Sequence, residues 1–326
     1  MFLGFLEKNI FVKILLAFPG VDQETHIDGI PGLGSWKIND FFYDLTVYPT
    51  SSSIFKFLQE AYTRCKEAQR VIVHSVYDWE KDIVHALRDE GIPIDPIGPL
   101  FLKGHKRASL LSEDDGCLEW LDKQMSSSVI YASFGSNVKL SLEEIHELAL
   151  GLEESQQPFL FVIRPDLAFG KDISSVLPTG FLLRTKERGR VTSWVPQLNV
   201  LAHDAIGGFL THCGWNSVLE SIWNGKPFIG CPRAAEQNTN LKCLIDWNVA
   251  IPMDVGKSAV ELKKGLVTKA INTLMHTSEG EKVRKRILEM KEESRHAMEI
   301  GYSRSSLNKL VEDIKEMSLG ARPCFL

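Results

Sequence analysis

The residues whose types and spacing most clearly indicate a binding site lie at 206–223, where an apolar run ends in a glycine turn and a helical pattern begins. The run at 206–210 predicts a buried parallel strand. It ends at the turn 211–214 (THCG), and the apolar spacing from Trp215 onward is typical of a helix. Such a turn directs free backbone N–H groups at one point, where the helix dipole also stabilises an anion. The sequence therefore predicts a binding site for a phosphate group here.

Polar side chains beside this turn could complete the anion site. His212 could donate a hydrogen bond to the anion, and either Asn216 or Ser217 could cap the following helix. A second turn of similar composition, 134–137 (FGSN), ends a predicted strand at 129–134. The carboxyl ends of parallel strands meet at one edge of a sheet, where open α/β proteins bind ligands. We therefore expect the two turns to line one crevice.

Length and composition are those of an ordinary globular protein with room for two domains. The chain has 326 residues, of which 44% are hydrophobic and 24% are charged. Its formal net charge of −5 argues against a nucleic-acid partner, which would need a basic face. The six cysteines show no zinc-like spacing and the chain has no N-x-S/T acceptor, so we expect a cytoplasmic protein without a metal. Charges interrupt the apolar stretches of residues 1–18, so no membrane insertion is expected.

The pattern of elements predicts two unequal domains of the α/β class. Residues 1–102 are loop-rich at 20–55 and continue with a few helices and a strand, whereas 103–115 is polar and aperiodic, as in an interdomain linker. Strands and helices alternate within 116–300, which predicts a parallel sheet with helices on both faces. A closing helix and a tail occupy 301–326. The predicted strands are 71–74, 129–134, 159–164, 189–193, 206–210, 227–230 and 249–252, and the predicted helices are 55–70, 79–90, 142–154 (opened by a capping box at Ser141 and Glu144), 215–223, 235–247, 259–276, 280–299 and 304–318.

Residues 194–237 resemble, along their whole length, the signature segment of plant secondary-product glycosyltransferases. A match this long is far more specific than a short motif. The resemblance implies a UDP-dependent glycosyltransferase of the GT-B type, with two facing Rossmann-like domains. It also implies that the C-terminal domain, complete here, binds the UDP-sugar donor and that the N-terminal domain, truncated here, binds the acceptor. The shorter segments that support the resemblance are 97–100 (IGPL), 131–136 (YASFGS), 161–165 (FVIRP) and 303–314.

The resemblance assigns the donor-binding residues position by position. Trp194 should stack on the uracil, with the Val195 backbone and Gln197 holding its edge. Glu220 should accept hydrogen bonds from the ribose hydroxyls. The diphosphate should be held without a metal, and Gln237 at the end of the segment favours glucose as the sugar. The residues expected at the diphosphate are Ser136, His212, Asn216 and Ser217, and those expected at the sugar are Trp215, Glu236 and Gln237.

The reaction implied is inverting transfer of a hexose from a UDP-sugar to a hydroxyl of a small lipophilic metabolite, such as a phenolic or terpenoid alcohol. This transfer needs a general base at the acceptor, which the family supplies as a histidine steadied by an aspartate. His26, His74 and His105 do not follow a strand in the family's Gly-His-x-x-Pro context. We therefore assign no catalytic residue, and expect the base, its aspartate and most of the acceptor pocket to belong to an N-terminal segment of the family that this chain lacks.

Two functions remain open from the sequence. The complete donor segment favours an enzyme, whereas the missing base favours a non-catalytic, truncated UDP-sugar-binding form. In either case we expect a monomer. Cys213 and Cys231 are interpreted as core thiols. Arg233, in a segment that departs from the family pattern, could face the sugar or the acceptor, or be a solvated residue.

Overall fold

The computed structural model of the chain describes residues 24–41, 53–101, 113–114, 116–167, 172–253 and 262–320. The apolar stretches of residues 1–18, His105 and most of the predicted linker at 103–115 lie outside these ranges. Within the described ranges, no helix is long and apolar enough to cross a membrane.

The smaller lobe comprises the described residues up to 101 and contains two short sheets. Strands β1 and β2 are antiparallel, whereas β3 pairs in parallel with β4. Helices α1 and α2 pack with β4 around a small apolar core. In chain order the elements are β1 (His26–Ile27), β2 (Trp36–Lys37), a 3₁₀ turn (Ile38–Asp40), α1 (Ser53–Glu67), β3 (Val71–Val73), α2 (Tyr77–Asp89) and β4 (Ile94–Pro96).

The sequence prediction for this lobe is partly wrong. Residues 20–55 contain β1 and β2 in addition to turns. Strand β4 is not predicted, because prolines on both sides of Asp95 argue against a strand, yet β4 pairs with β3 on one side. Strand β3 is predicted to be buried, but Ile72 is 51% exposed.

The larger lobe, which begins at residue 113, alternates strands and helices. The six strands and the long helices agree with the sequence prediction, and α4 begins and ends at the predicted residues. Three short helices, α3, α5 and α6, are not among the predicted helices, because five or six residues carry too little periodicity. The elements are α3 (Gly116–Leu121), β5 (Val129–Ser133), α4 (Leu142–Glu154), β6 (Phe159–Val162), α5 (Phe181–Thr185), β7 (Gly189–Thr192), α6 (Gln197–Ala202), β8 (Ile206–Thr211), α7 (Trp215–Asn224), β9 (Phe228–Gly230), α8 (Gln237–Asp246), β10 (Ala250–Pro252), α9 (Lys264–His276), α10 (Ser278–Glu299) and α11 (Tyr302–Gly320).

A six-stranded parallel sheet organises the larger lobe. Its strand order is β10-β9-β8-β5-β6-β7, which corresponds to the 3-2-1-4-5-6 order of Rossmann folds. Both faces are covered by helices, so alternate residues of one strand enter two different cores. In β5, Ile130 and Ala132 pack with α4 and α9, whereas Val129 and Tyr131 pack with α7 and α10. Burial on both faces explains why the inner strands are mostly apolar, whereas the edge strand β7 (GRVT) is mostly half-buried.

Polar contacts of α10 and α11 connect the two lobes. Asp95 of β4 accepts hydrogen bonds from Tyr302 Oη (3.0 Å) and Ser306 Oγ (2.8 Å) of α11. Trp79 Nε1 of α2 donates to Glu293 Oε2 of α10 at 3.0 Å. Because Asp95 is largely buried, its carboxylate needs these donors to offset the loss of water. The closing helices therefore set the position of the smaller lobe against the larger one.

The capping box predicted at the start of α4 is confirmed. Ser141 Oγ accepts from the backbone N–H of Glu144 (3.2 Å), and Glu144 Oε2 accepts from the backbone N–H of Ser141 (2.8 Å). Glu144 Oε1 also pairs with the Arg233 guanidinium. Arg233 is therefore not a solvated residue, because its side chain is only 14% exposed and pairs with this carboxylate. One glutamate joins the helix start to the loop after β9.

Removal of the Ser141 hydroxyl tests this cap. Ser141→Ala is expected to lower the free energy of unfolding by about 1 kcal/mol, because the Glu144 N–H loses its acceptor. Urea denaturation measures this difference. Ser126→Ala, at an exposed position, is the matched control and should stay within about 0.5 kcal/mol of the wild type. Equal stability of the two variants would show that the cap contributes nothing.

Candidate functional site

The two glycine turns lie side by side at the carboxyl edge of the sheet. Strands β5 and β8 are neighbours, and Ser133 is in register with Thr211, so both turns leave the sheet at the same level. A Cβ added at Gly135 would lie 2.6 Å from His212 Cε1, and one at Gly214 would lie 2.5 Å from His212 Nε2. The imidazole therefore fits between two glycines that no other residue can replace without displacing it. This position is the switch point of the strand order, and the two turns lie side by side there, as the sequence predicts.

Helix α7 begins at this crevice without a side-chain cap. Its N-cap residue is Gly214, which has no side chain to offer. The predicted cap by Asn216 or Ser217 is wrong, because both residues already lie in the first turn of the helix. Ser217 Oγ instead accepts a hydrogen bond from Gln197 Nε2 at 3.1 Å. The first turn of α7 thus presents backbone N–H groups that no side chain caps, which is the arrangement that binds an anion.

The electrostatic environment keeps His212 neutral near pH 7. Burial, followed by the positive charge of Arg164, lowers the pKa of His212 from 6.5 to about 4. A neutral imidazole has one N–H donor and one acceptor nitrogen. Nδ1 lies 3.4 Å from Thr211 Oγ1. His212 can therefore offer an anion a hydrogen bond but not a full charge.

Arg164 holds the first glycine turn in place. This side chain is 4% exposed, and its guanidinium donates to the carbonyls of Gly135 (2.5 Å) and Val138 (2.8 Å). The carboxylate of Asp166 accepts from Nε and Nη2, both at 2.9 Å. The sequence indicates Arg164 only as part of a family segment, because nothing local shows that it reaches back to a turn 29 residues earlier.

The second glycine turn is held by Asn240, whose role is also not predicted from the sequence. Cys213 adopts a left-handed backbone conformation with φ of 64°, which favours glycine or asparagine. The buried Asn240 of α8 donates from Nδ2 to the Cys213 carbonyl at 2.9 Å. Cys213 and Cys231 are fully buried, and burial raises the pKa of Cys231 to about 12. The interpretation of both residues as core thiols is confirmed.

A hydrogen-bonded group lies beside the two turns. Gln197, the first residue of α6, donates from Nε2 to Glu220 Oε2 (2.7 Å) and to Ser217 Oγ (3.1 Å). Its Oε1 accepts from Tyr131 Oη at 3.1 Å. Glu220 is 4% exposed, so this amide is part of what keeps a buried carboxylate partnered. The structure therefore brings together three residues that the family resemblance assigns to the uracil (Gln197), the ribose (Glu220) and the diphosphate (Ser217).

Trp194 and Val195 occupy the connection between β7 and α6. The Trp194 carbonyl accepts from the backbone N–H of Asp114 at 2.9 Å, and the Trp194 ring is half-buried. Val195 is buried. Arg190 of β7 pairs with the Asp114 carboxylate at 2.7 Å and so holds in place the residue that donates to the Trp194 carbonyl.

The other predicted donor-site residues lie in the same edge region but are engaged in different ways. Trp215 donates from Nε1 to the His74 carbonyl of the smaller lobe at 2.7 Å, so its N–H group is not available to a sugar. Gln237 Oε1 accepts from the backbone N–H groups of Arg233 (2.8 Å) and Ala234 (3.1 Å). Ser136 is exposed on the first glycine turn, Asn216 is exposed in the first turn of α7, and the half-buried Glu236 is the N-cap residue of α8. Among the described residues, no group of three or more His, Cys, Asp or Glu is arranged to hold a metal.

Comparisons with known proteins agree with this geometry. The family model described as UDP-glucoronosyl and UDP-glucosyl transferase matches residues 111–282. UDP-glycosyltransferase 76B1 of Arabidopsis thaliana is 38% identical over 285 residues, which cover 86% of this chain and 62% of that relative. The (R)-mandelonitrile beta-glucosyltransferase of Prunus dulcis is 37% identical over 280 residues, which cover 82% of this chain and 56% of that relative. The structure of Phytolacca americana UGT2 complexed with UDP-2fluoro-glucose and pterostilbene has a TM-score of 0.82 at 33% identity, covering 96% of this chain and 69% of that one.

The parallel sheet, its two turns and these matches define an α/β protein of the GT-B type, as expected from the sequence. The chain belongs to the UDP-glycosyltransferase family. It spans about three fifths of the length of the curated relatives that it matches.

The depressed pKa of His212 predicts stability that depends on pH. The folded protein keeps His212 unprotonated down to about pH 4, whereas an unfolded histidine binds a proton below about pH 6.5. The unfolded state therefore binds more protons between these values, and the free energy of unfolding falls as the pH falls through this window. Between about pH 7.5 and about pH 5 the expected loss through this group is about 2 kcal/mol.

Urea denaturation at both pH values measures this loss in the wild type and in His212→Gln, which cannot titrate in this range. Between these two pH values, the free energy of unfolding of His212→Gln should fall by about 2 kcal/mol less than that of the wild type. The half-buried His146 on α4 provides the control, because His146→Gln should keep the wild-type pH dependence. The same loss in the wild type and in His212→Gln would contradict the assignment.

Proposed function

We propose that the chain binds a UDP-sugar, preferably UDP-glucose, at the carboxyl edge of the six-stranded sheet. The hexose is transferred with inversion to a hydroxyl of a small lipophilic metabolite. The observation that carries this proposal is the placement of His212 between two glycine turns, directly at the uncapped start of α7. The similar Phytolacca americana protein, which is complexed with UDP-2fluoro-glucose and pterostilbene, supports both the donor and the acceptor class.

The donor is proposed to lie along the edge of the larger lobe, with the domain at 116–300 supplying its contacts. The uracil stacks on Trp194 and is held by the Val195 backbone and Gln197, and the ribose hydroxyls donate to Glu220. The start of α7 and the neutral His212 bind the diphosphate without a metal, because backbone N–H groups supply the donors. The remaining proposed contacts are Ser136, Asn216 and Ser217 at the diphosphate, and Trp215, Glu236 and Gln237 at the sugar.

The transfer step joins the acceptor oxygen to the anomeric carbon as UDP leaves with the bonding electrons. A general base must take the hydroxyl proton, and it must lie within hydrogen-bond reach of the acceptor. His74 is not assigned this role, because its Nε2 accepts the backbone N–H of Leu100 at 2.7 Å. His26 is engaged with Ser35 Oγ at 2.8 Å. None of the described residues is assigned as the base, and the acceptor pocket is proposed to include residues 1–102.

The cellular setting is proposed to be the cytoplasm, with the protein acting as a monomer that is not inserted in a membrane. The five cysteines in the described part of the chain are free thiols, and four of these are buried, which supports a reducing environment. UDP-sugar acts as a co-substrate rather than as a bound cofactor.

Calorimetry with UDP tests the donor site. The wild-type chain should bind UDP, and His212→Ala should weaken binding about tenfold or more, because a buried donor to the diphosphate is lost. His146→Ala, which changes a histidine on α4, should bind UDP as the wild type does. Absence of UDP binding by the folded wild type would contradict the proposal.

Activity is tested separately with UDP-glucose and a panel of phenolic and terpenoid alcohols, with mass spectrometry to detect glucosides. A glucoside that disappears in His212→Ala is the expected result. UDP binding without any glucoside would favour the non-catalytic UDP-sugar-binding form instead.

A further inference from the structure

The hydroxyl of Tyr131 is buried beneath the proposed donor site. Tyr131 lies in β5, is 1% exposed, and stacks on Phe209 of β8 with ring centroids 4.7 Å apart and an angle of 12° between the planes. Burial raises the pKa of Tyr131 above its ordinary value of 10.0, so the hydroxyl keeps its proton and can donate.

A directed chain of hydrogen bonds runs from this hydroxyl to Glu220. Tyr131 Oη donates to Gln197 Oε1 (3.1 Å), and Gln197 Nε2 donates to Glu220 Oε2 (2.7 Å). A carboxylate can only accept, so the amide nitrogen of Gln197 must face Glu220. The amide oxygen must then face Tyr131. Glu220 therefore specifies one orientation of the Gln197 amide, and the Tyr131 hydroxyl, which also hydrogen-bonds with Ser133, donates to the amide oxygen in that orientation.

We propose that Tyr131 is a positioning residue for recognition of the ribose, acting through Gln197 on Glu220. The inference rests on the proposed function, because it requires Glu220 to bind the ribose hydroxyls of the donor. Tyr131 itself does not contact the ligand. Its hydroxyl fixes the terminal torsion of Gln197, which is otherwise broad, and Gln197 in turn holds one oxygen of Glu220. The carboxylate is thereby oriented before the nucleotide arrives.

Preorganisation explains why a buried polar group is used at this position. Glu220 and Tyr131 lie on elements that pack in the same core, and each is separated from water. A carboxylate without fixed partners in such a place would be costly and would adopt several orientations. When both hydrogen bonds are present, Glu220 is already ordered before the ribose binds. Binding therefore does not have to supply the entropy cost of ordering this side chain, and the affinity is higher.

Ribose-specific binding measurements test the proposal. UDP and 2′,3′-dideoxy-UDP differ only in the hydroxyls that Glu220 is proposed to bind, so the ratio of their dissociation constants isolates ribose recognition. Tyr131→Phe removes one oxygen and keeps the ring. We expect this variant to reduce the preference for UDP over the dideoxy analogue about tenfold. In a Glu220→Ala background, adding Tyr131→Phe should not change the ratio further.

Tyr62→Phe provides the matched control, because Tyr62 is a buried tyrosine of the smaller lobe and its loss of a hydroxyl should leave the ratio unchanged. An equal weakening of both ligands by Tyr131→Phe would indicate a structural role only and would overturn the proposal. So would an unchanged ratio. A wild-type chain that binds UDP without preferring it to the dideoxy analogue overturns the positioning role but not donor binding. A chain that binds no UDP overturns both proposals.

A crystal structure of the wild-type complex with UDP is a second test that does not depend on the folding of any variant. The Tyr131–Gln197 and Gln197–Glu220 hydrogen bonds should persist while Glu220 contacts the ribose. A complex in which Gln197 no longer donates to Glu220 would contradict the proposed positioning role of Tyr131.

Discussion

The site depends on one close approach, that of the His212 ring to the Cα atoms of Gly135 and Gly214. This approach is made by the parallel pairing of β5 and β8, whose last residues Ser133 and Thr211 are in register. A shift of one residue between these strands would move the two turns apart and remove the crevice. The distances of 2.6 Å and 2.5 Å to a hypothetical Cβ show that any residue other than glycine on either side would displace the ring.

Packing of this kind also determines the charge of the site. The ring is shielded from water by the same turns that hold it, and Arg164 lies behind the first turn. Both effects favour the neutral imidazole. The arrangement therefore relies on oriented donors rather than on a protonated histidine, and the positive end of α7 supplies the electrostatic attraction for an anion. Asn240 adds to this by holding the carbonyl of Cys213, which keeps the strained turn in one conformation.

The sequence alone predicts most of the larger lobe and little of what connects its parts. Most of the strands from β5 to β10 are visible as apolar runs, and the start of α4 is visible as a capping box, because these signals are local. The contacts of Arg164, Asn240 and Tyr131 join residues that are 29, 27 and 66 positions apart, and no local pattern reveals them. The predicted cap of α7 fails for a related reason. A polar side chain near a helix start resembles a cap, but only the backbone position of Gly214 decides where the helix begins.

Trp215 has a consequence for how the two lobes communicate. It is both the first residue of α7 and the donor to the His74 carbonyl in the smaller lobe. The position of the smaller lobe therefore bears directly on the helix start that faces the proposed anion site. By thermodynamic linkage, a ligand that favours one position of this helix start must also favour one arrangement of the lobes, and the coupling free energy is the same in both directions. A single indole N–H thus joins the start of α7 directly to the smaller lobe, in addition to the contacts of α10 and α11.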